Sequence, residues 1–271
     1  MSLHEIEFTS ANGRDTIFGW VYEPATKTRG IIHIVHGLGE HSRRYLRLIT
    51  KLLDAGFVVV ADDHAGHGKT AMTSGVWADA GDDADQVVVA DERILRDKVR
   101  ELYPNLPYVV FGHSWGSMIA RGLVSDDSDW LEGLILCGIA AQIHGIDEVL
   151  DRDALAAESD PTSTSTQTYA GQMFDGFTAR YGPDAFPTAW VARDPGVVRD
   201  HAREDEDGEV GADCRIPGVG VDGVVEVDEA ADESHGHGCA EIVEGVAGVV
   251  ADDPGIARHP CRGEGVGAVA R

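Results

Sequence analysis

Cysteine is scarce in this chain of 271 residues, with four widely scattered at Cys137, Cys214, Cys239 and Cys261. So thin a set does not read as a disulfide framework, and a reduced, cytoplasmic setting is the simplest expectation. No uninterrupted apolar run is long enough to span a bilayer, and residues 1–15 lack both a basic start and a long apolar stretch. Neither stable membrane insertion nor a secretory leader is therefore expected. Positive charge is short as well: 22 Lys and Arg stand against 47 Asp and Glu, a net of −25. That balance argues against nucleic acid or an anionic membrane as partner.

The sharpest shortage lies in one quarter of the chain. Residues 201–271 contain no Leu, Phe, Tyr, Trp, Met, Lys, Asn, Gln or Thr, and all 18 aromatic side chains come earlier. The same stretch carries 17 acidic and 5 basic groups, about half of the whole net charge. Without large apolar residues, strands and helices able to complete a core are not expected there. Gly, Val, Ala, Glu and Asp make up 52 of these 71 residues, and all five have codons beginning with G. A G+C-rich gene read out of frame from about residue 200 would give this composition. Disorder or a natural acidic tail is the alternative, although such tails usually keep Lys, Gln, Ser or Thr.

Before residue 200 the chain reads as alternating strands and helices. Residues 5–10 and 16–22 flank Asn12-Gly13 as a β-hairpin. Residues 30–36, 57–61, 108–111 and 131–138 are apolar runs of the kind buried on both faces of a parallel sheet. Residues 42–55, 83–103 and 115–123 carry helical periodicity between them. The expected fold is α/β, a mostly parallel sheet covered on both faces. The loop at residues 62–70 is rich in Gly and His but lacks the phosphate-loop spacing, so nucleotide binding is rejected.

The stretch that organises the chain is Gly112-His113-Ser114-Trp115-Gly116, set between the strand at 108–111 and the helix that follows. Strand, G-x-S-x-G and helix together make the context of a nucleophile elbow. The serine sits on a sharp, strained turn, and the flanking glycines remove side chains that would collide with neighbouring elements. Trp115 then brings its amide to a helix N-terminus, where an N–H can meet a developing oxyanion. A second donor should come from the loop after an earlier strand, here His36-Gly37-Leu38-Gly39.

Three ordered motifs now carry a specific resemblance: His36-Gly37-Leu38-Gly39-Glu40-His41-Ser42, Asp63-His64-Ala65-Gly66-His67-Gly68, and the elbow itself. Over residues 5–200, including Arg193-Asp194, the chain resembles the monoacylglycerol lipase and lysophospholipase (serine aminopeptidase S33-type) branch of the α/β-hydrolases. The resemblance implies Ser114 as nucleophile and the Leu38 and Trp115 amides as oxyanion hole. It implies hydrolysis of an acyl glyceride or lysophospholipid through an acyl-enzyme, with no cofactor and no metal. A peptidase, a thioesterase or a non-catalytic apolar-ligand binder on the same fold are the alternatives. His36, His64, His67 and His113 are read as loop-organising, and His33, inside a buried strand, as a satisfied core residue.

Residues 1–138 are thus expected to form the hydrolase core and residues 139–200 a lid or cap. Met173, Phe174, Phe177 and Trp190 would give that lid an apolar face toward the substrate. By order along the chain, the acid would fall near residues 222–232, with Asp232 as candidate, and the histidine near His259. Neither has a convincing strand before it. His235, His237 and Cys239 alternate with glycine but offer no evident fourth ligand, so no metal is assigned there.

Overall fold

The computed structural model describes residues 1–139, 182, 196 and 266–270. The chain divides into two compact units, 1–140 with 227–271, and 141–226. The hydrolase-like elements belong to the first. The apolar runs become strands β1 (Ser2–Thr9), β2 (Thr16–Glu23), β3 (Gly30–Val35), β4 (Phe57–Asp63), β5 (Tyr108–His113) and β6 (Gly133–Cys137). Between them lie helices α1 (Leu46–Asp54), α2 (Gly68–Ser74), α3 (Ala84–Leu102) and α4 (Trp115–Ser125).

Among the described residues the sheet has seven strands in the order β1-β2-β4-β3-β5-β6-β7, with β7 at Val266–Ala270. Strands β4, β3, β5 and β6 run parallel, and the β1–β2 hairpin closes one edge antiparallel to β4. Alternate side chains of each strand enter opposite faces. Ile31, Val58 and Val110 pack with Leu95 and Val99 of α3 and with Ile119 and Leu123 of α4. Ile32, Val59 and Phe111 pack with Leu48, Ile49 and Leu52 of α1 on the other face. This is a mostly parallel sheet covered on both faces, the class the strand–helix alternation pointed to.

Three local features depart from the sequence reading. Strand β4 continues through Asp62 and Asp63 instead of ending at Ala61. Asp63 tolerates burial because its carboxylate accepts the Ser42 amide at 2.9 Å, the Ser42 hydroxyl at 2.7 Å and the Lys69 amide at 2.7 Å. The supposed loop at residues 62–70 leads directly into α2, a two-turn helix stopped by Gly75 at φ 76°. A turn of 3-10 helix at Ser42–Tyr45 precedes α1, where one continuous helix was expected.

The tail supplies one strand that its composition did not suggest. Strand β7 (Val266–Ala270) runs antiparallel to β6, with Gly133 opposite Ala270 and Cys137 opposite Val266. Small and β-branched residues suffice for an edge strand, because backbone hydrogen bonds and not large side chains make the pairing. Apart from residues 139, 182 and 196, the proposed lid and the rest of residues 201–271 lie outside the described residues.

Leu95 has no exposed surface and sits where α3 meets the sheet. Leu95→Ala is expected to destabilise the fold by roughly 2–5 kcal/mol, measured as a lowered urea midpoint with the slope unchanged.

Candidate active site

Strand β5 ends at His113, and the chain turns at once into α4. The residue at that corner is Ser114, with φ 52° and ψ −118°. A side chain in this region costs on the order of 1–3 kcal/mol and persists only where the surroundings hold it. Here they do. The Ser114 amide donates to the Cys137 carbonyl at 2.8 Å, and the Ser114 carbonyl accepts from the Ser117 amide at 2.9 Å. A methyl on Gly116 would collide with the Val35 and His36 carbonyl oxygens. One on Gly112 would strike the Gly116 carbonyl and reach the Ala120 Cβ at 2.8 Å. The G-x-S-x-G pattern is therefore a packing requirement: α4 lies directly on the end of β3, and only glycine allows it.

That approach brings the loop after β3 to the serine. A Cβ on Gly37 would lie 3.2 Å from the Ser114 Cβ and 3.2 Å from the His113 carbonyl. Leu38 follows Gly37 in this loop and is 60% exposed. Trp115 opens α4, so its amide stands at the helix N-terminus. A hydroxyl between a helix N-terminus and a neighbouring loop is the geometry for attack on a carbonyl with amide donors at the oxygen.

Glu40 fixes the loop. Its Oε1 accepts the Gly37 amide at 2.5 Å, the Tyr45 hydroxyl at 2.7 Å and His113 Nδ1 at 3.0 Å, while Oε2 meets Arg44 at 3.1 Å. One carboxylate thus joins the loop after β3, the turn before α1 and the elbow. Burial alone would raise its pKa, but the His113 hydrogen bond and the Arg44 charge outweigh burial and hold it at about 2. Glu40 stood in the quoted motif, yet its role did not show until the fold brought residue 113 beside it.

The motif histidines organise loops, as the sequence suggested. His36 Nδ1 pairs with the Gly37 carbonyl at 2.8 Å, and its Nε2 accepts the His64 amide at 3.1 Å. His67 Nδ1 donates to the Ala65 carbonyl at 3.0 Å, and its Nε2 accepts the Gly39 amide at 3.3 Å. The His36 and His64 rings stack at 3.7 Å, and Trp115 covers His64 and His67. Burial holds His67 at about 4 and keeps His36 well below its usual range. Burial would lower His64 too, yet Asp62 and Glu92 push it to about 9. His33 corrects the satisfied-core reading. Its Nδ1 meets the Tyr108 hydroxyl at 3.0 Å, but its Nε2 has no well-directed hydrogen-bond partner.

The structure brings Ser114, Trp115 and the Leu38 loop together. Asp232, His259, Met173, Phe174, Phe177 and Trp190 lie outside the described residues. A sheet of this topology with an elbow serine of this geometry defines an α/β-hydrolase. The chain belongs to the serine aminopeptidase S33 family, whose model matches residues 26–212. It is similar to human monoglyceride lipase, 32% identical over 120 residues, which cover 44% of this chain and 38% of that protein. A solved lipase in its open form is 54% identical, with a TM-score of 0.69, covering 78% of this chain and 68% of the other. A thermostable carboxyl esterase from Bacillus coagulans, solved with glycerol, is 45% identical, with a TM-score of 0.68, covering 75% and 66%. The match therefore spans well under half the length of the human relative.

Glu40 gives a pH signature. A carboxyl held at about 2, against 4.5 for the ordinary group, stabilises the fold fully above about 4.5 and loses that contribution as pH falls toward 2. Its size is on the order of 3 kcal/mol. Glu40→Gln is expected to be less stable at pH 7, and the gap to the unsubstituted protein should narrow between pH 4.5 and 2. Urea melts of both proteins across that range measure it; a gap that stays constant contradicts this role.

Proposed function

We propose that the chain is a serine carboxylic-ester hydrolase acting on acyl glycerides or lysophospholipids, with Ser114 as nucleophile. The observation that carries this reading is the strained Ser114 corner, seated between the α4 N-terminus and the Glu40-bound loop. The names of the relatives, a monoglyceride lipase, a lipase and a carboxyl esterase, point to the same ester class.

In this reading the Ser114 hydroxyl adds to the ester carbonyl and gives its proton to a base, which passes it to the departing alcohol. The Leu38 and Trp115 amides hold the oxyanion. Water then hydrolyses the acyl-enzyme, with no cofactor. Asp232 and His259 are carried as acid and base by their order along the chain alone, and Met173, Phe174, Phe177 and Trp190 as an apolar lid. The substrate is a small acyl ester, and nucleic acid is not a partner. A cytoplasmic setting belongs to the same proposal. No helix among the described residues is long and apolar enough to cross a membrane.

A fluorophosphonate probe is expected to label Ser114, mapped by peptide mass spectrometry. Ser114→Ala should abolish labelling and lower hydrolysis of monoacylglycerols by about a thousandfold or more. Turnover that survives in Ser114→Ala removes the reading. Fatty-acid binding without any turnover in the unsubstituted chain would instead favour a non-catalytic binder.

A further inference from the structure

Behind the loop that carries Leu38, four side chains from three elements meet in the interior. His33 comes from β3, Asp62 from the end of β4, His64 from just after it, and Glu92 from α3. His33, Asp62 and Glu92 have no exposed surface, and His64 is 2% exposed. Five of their polar atoms lack a hydrogen-bond partner: His33 Nε2, both oxygens of Asp62 and both oxygens of Glu92. His33 Nε2 lies 2.7 Å from Glu92 Oε2, but off the line a hydrogen bond requires. Buried carboxylates left this way are costly, and native interiors hold few of them.

The orientation of His64 narrows the explanation. Its Nε2 faces the His36 carbonyl at 3.2 Å, and a carbonyl only accepts, so that nitrogen carries the proton. The other nitrogen, Nδ1, points at Glu92 Oε1 at 3.3 Å and Asp62 Oδ1 at 3.5 Å. In the neutral ring a lone pair would face two carboxylate oxygens. A single proton on Nδ1 would answer that repulsion but leave most of the four oxygens unmatched. A cation at the centre answers all three groups together. One Nδ1 and one oxygen from each carboxylate lie within 4.8 Å of one another. The two measured separations are close to the edge, about 3.3 Å, of a tetrahedron with bonds of about 2.0 Å.

We propose that Asp62, His64 Nδ1 and Glu92 bind one divalent transition-metal cation, Zn²⁺ or Mn²⁺, as a buried structural site. Two carboxylates balance its charge, and one imidazole nitrogen with carboxylate oxygens is a donor set that suits these ions. The His64 hydrogen bond to the His36 carbonyl is the outer partner a metal-bound histidine commonly has, fixing its tautomer. His33 stands against the outer oxygen of Glu92, with the Tyr108 hydroxyl behind it. Because His64 stacks on His36, the ion would brace the loop beside Ser114 without touching substrate. The site is independent of hydrolysis, so neither proposal fails with the other.

The test is the metal content of the full, untagged chain, measured by inductively coupled plasma mass spectrometry. About one Zn or Mn per chain is expected. After chelation, adding Zn²⁺ should raise Tm, and Co²⁺ should bring visible absorption that the protein without Co²⁺ lacks. Asp62→Asn and Glu92→Gln, which keep shape and remove charge, should each lose the ion. His237→Ala should keep it, separating this site from the His235, His237 and Cys239 cluster. The absence of any ion or Zn²⁺ response in the unsubstituted chain overturns the proposal, whether or not the variants fold. So does an ion retained in Glu92→Gln or lost in His237→Ala.

Discussion

Everything at the candidate site follows from one close approach, that of the α4 backbone to the end of β3. Any side chain on Gly116 would overlap the Val35 and His36 carbonyls. Their contact fixes where the helix begins, so it fixes the angle at which β5 must turn into it. Ser114 absorbs that turn in a region of backbone space that side chains avoid. The same contact places the loop after β3 against the serine. Ser114 and the loop after β3 are thus placed by a single packing event, so the proposed nucleophile and oxyanion donors share one cause.

Two kinds of buried carboxylate lie around this corner, and the difference between them is instructive. Glu40 and Asp63 are surrounded by donors, chiefly backbone amides and hydroxyls, which repay the cost of desolvation. Each ties together segments distant in sequence. Asp62 and Glu92 are equally buried but face each other and two imidazoles. Amides can satisfy the first pair because loops present free N–H groups. The second pair lies between a strand and a helix whose own N–H groups are already used, so its charge needs a proton or a cation.

Much of this was legible in the sequence, for identifiable reasons. The parallel strands announced themselves as unbroken β-branched runs, since both faces are buried and no alternation is possible. The elbow was legible because its constraint is local, a strand, two glycines and a helix within about a dozen residues. Helix α2 was not, because two turns opening on glycine carry too little periodicity to stand out from a loop. Nor were the partnerships of Glu40 with His113 or of His33 with Glu92. Those residues are 73 and 59 positions apart. Only the crossover of β3, β4 and β5 brings them together. Strand β7 was missed because its pairing rests on backbone, which composition does not record.

The break in composition near residue 201 and the end of the family match at residue 212 fall close together. They divide the chemistry unequally. The fold's order puts the proposed acid and base, Asp232 and His259, beyond that break, and the proposed nucleophile and amide donors before it. These parts do not contribute alike to a serine hydrolase. Without a working triad, an oxyanion hole and substrate binding still give about a thousandfold to ten-thousandfold over water. Backbone amides carry no titrating group, so they donate at any ordinary pH. The half of the machinery held by the β3–α4 contact is therefore the half whose contribution depends on packing alone.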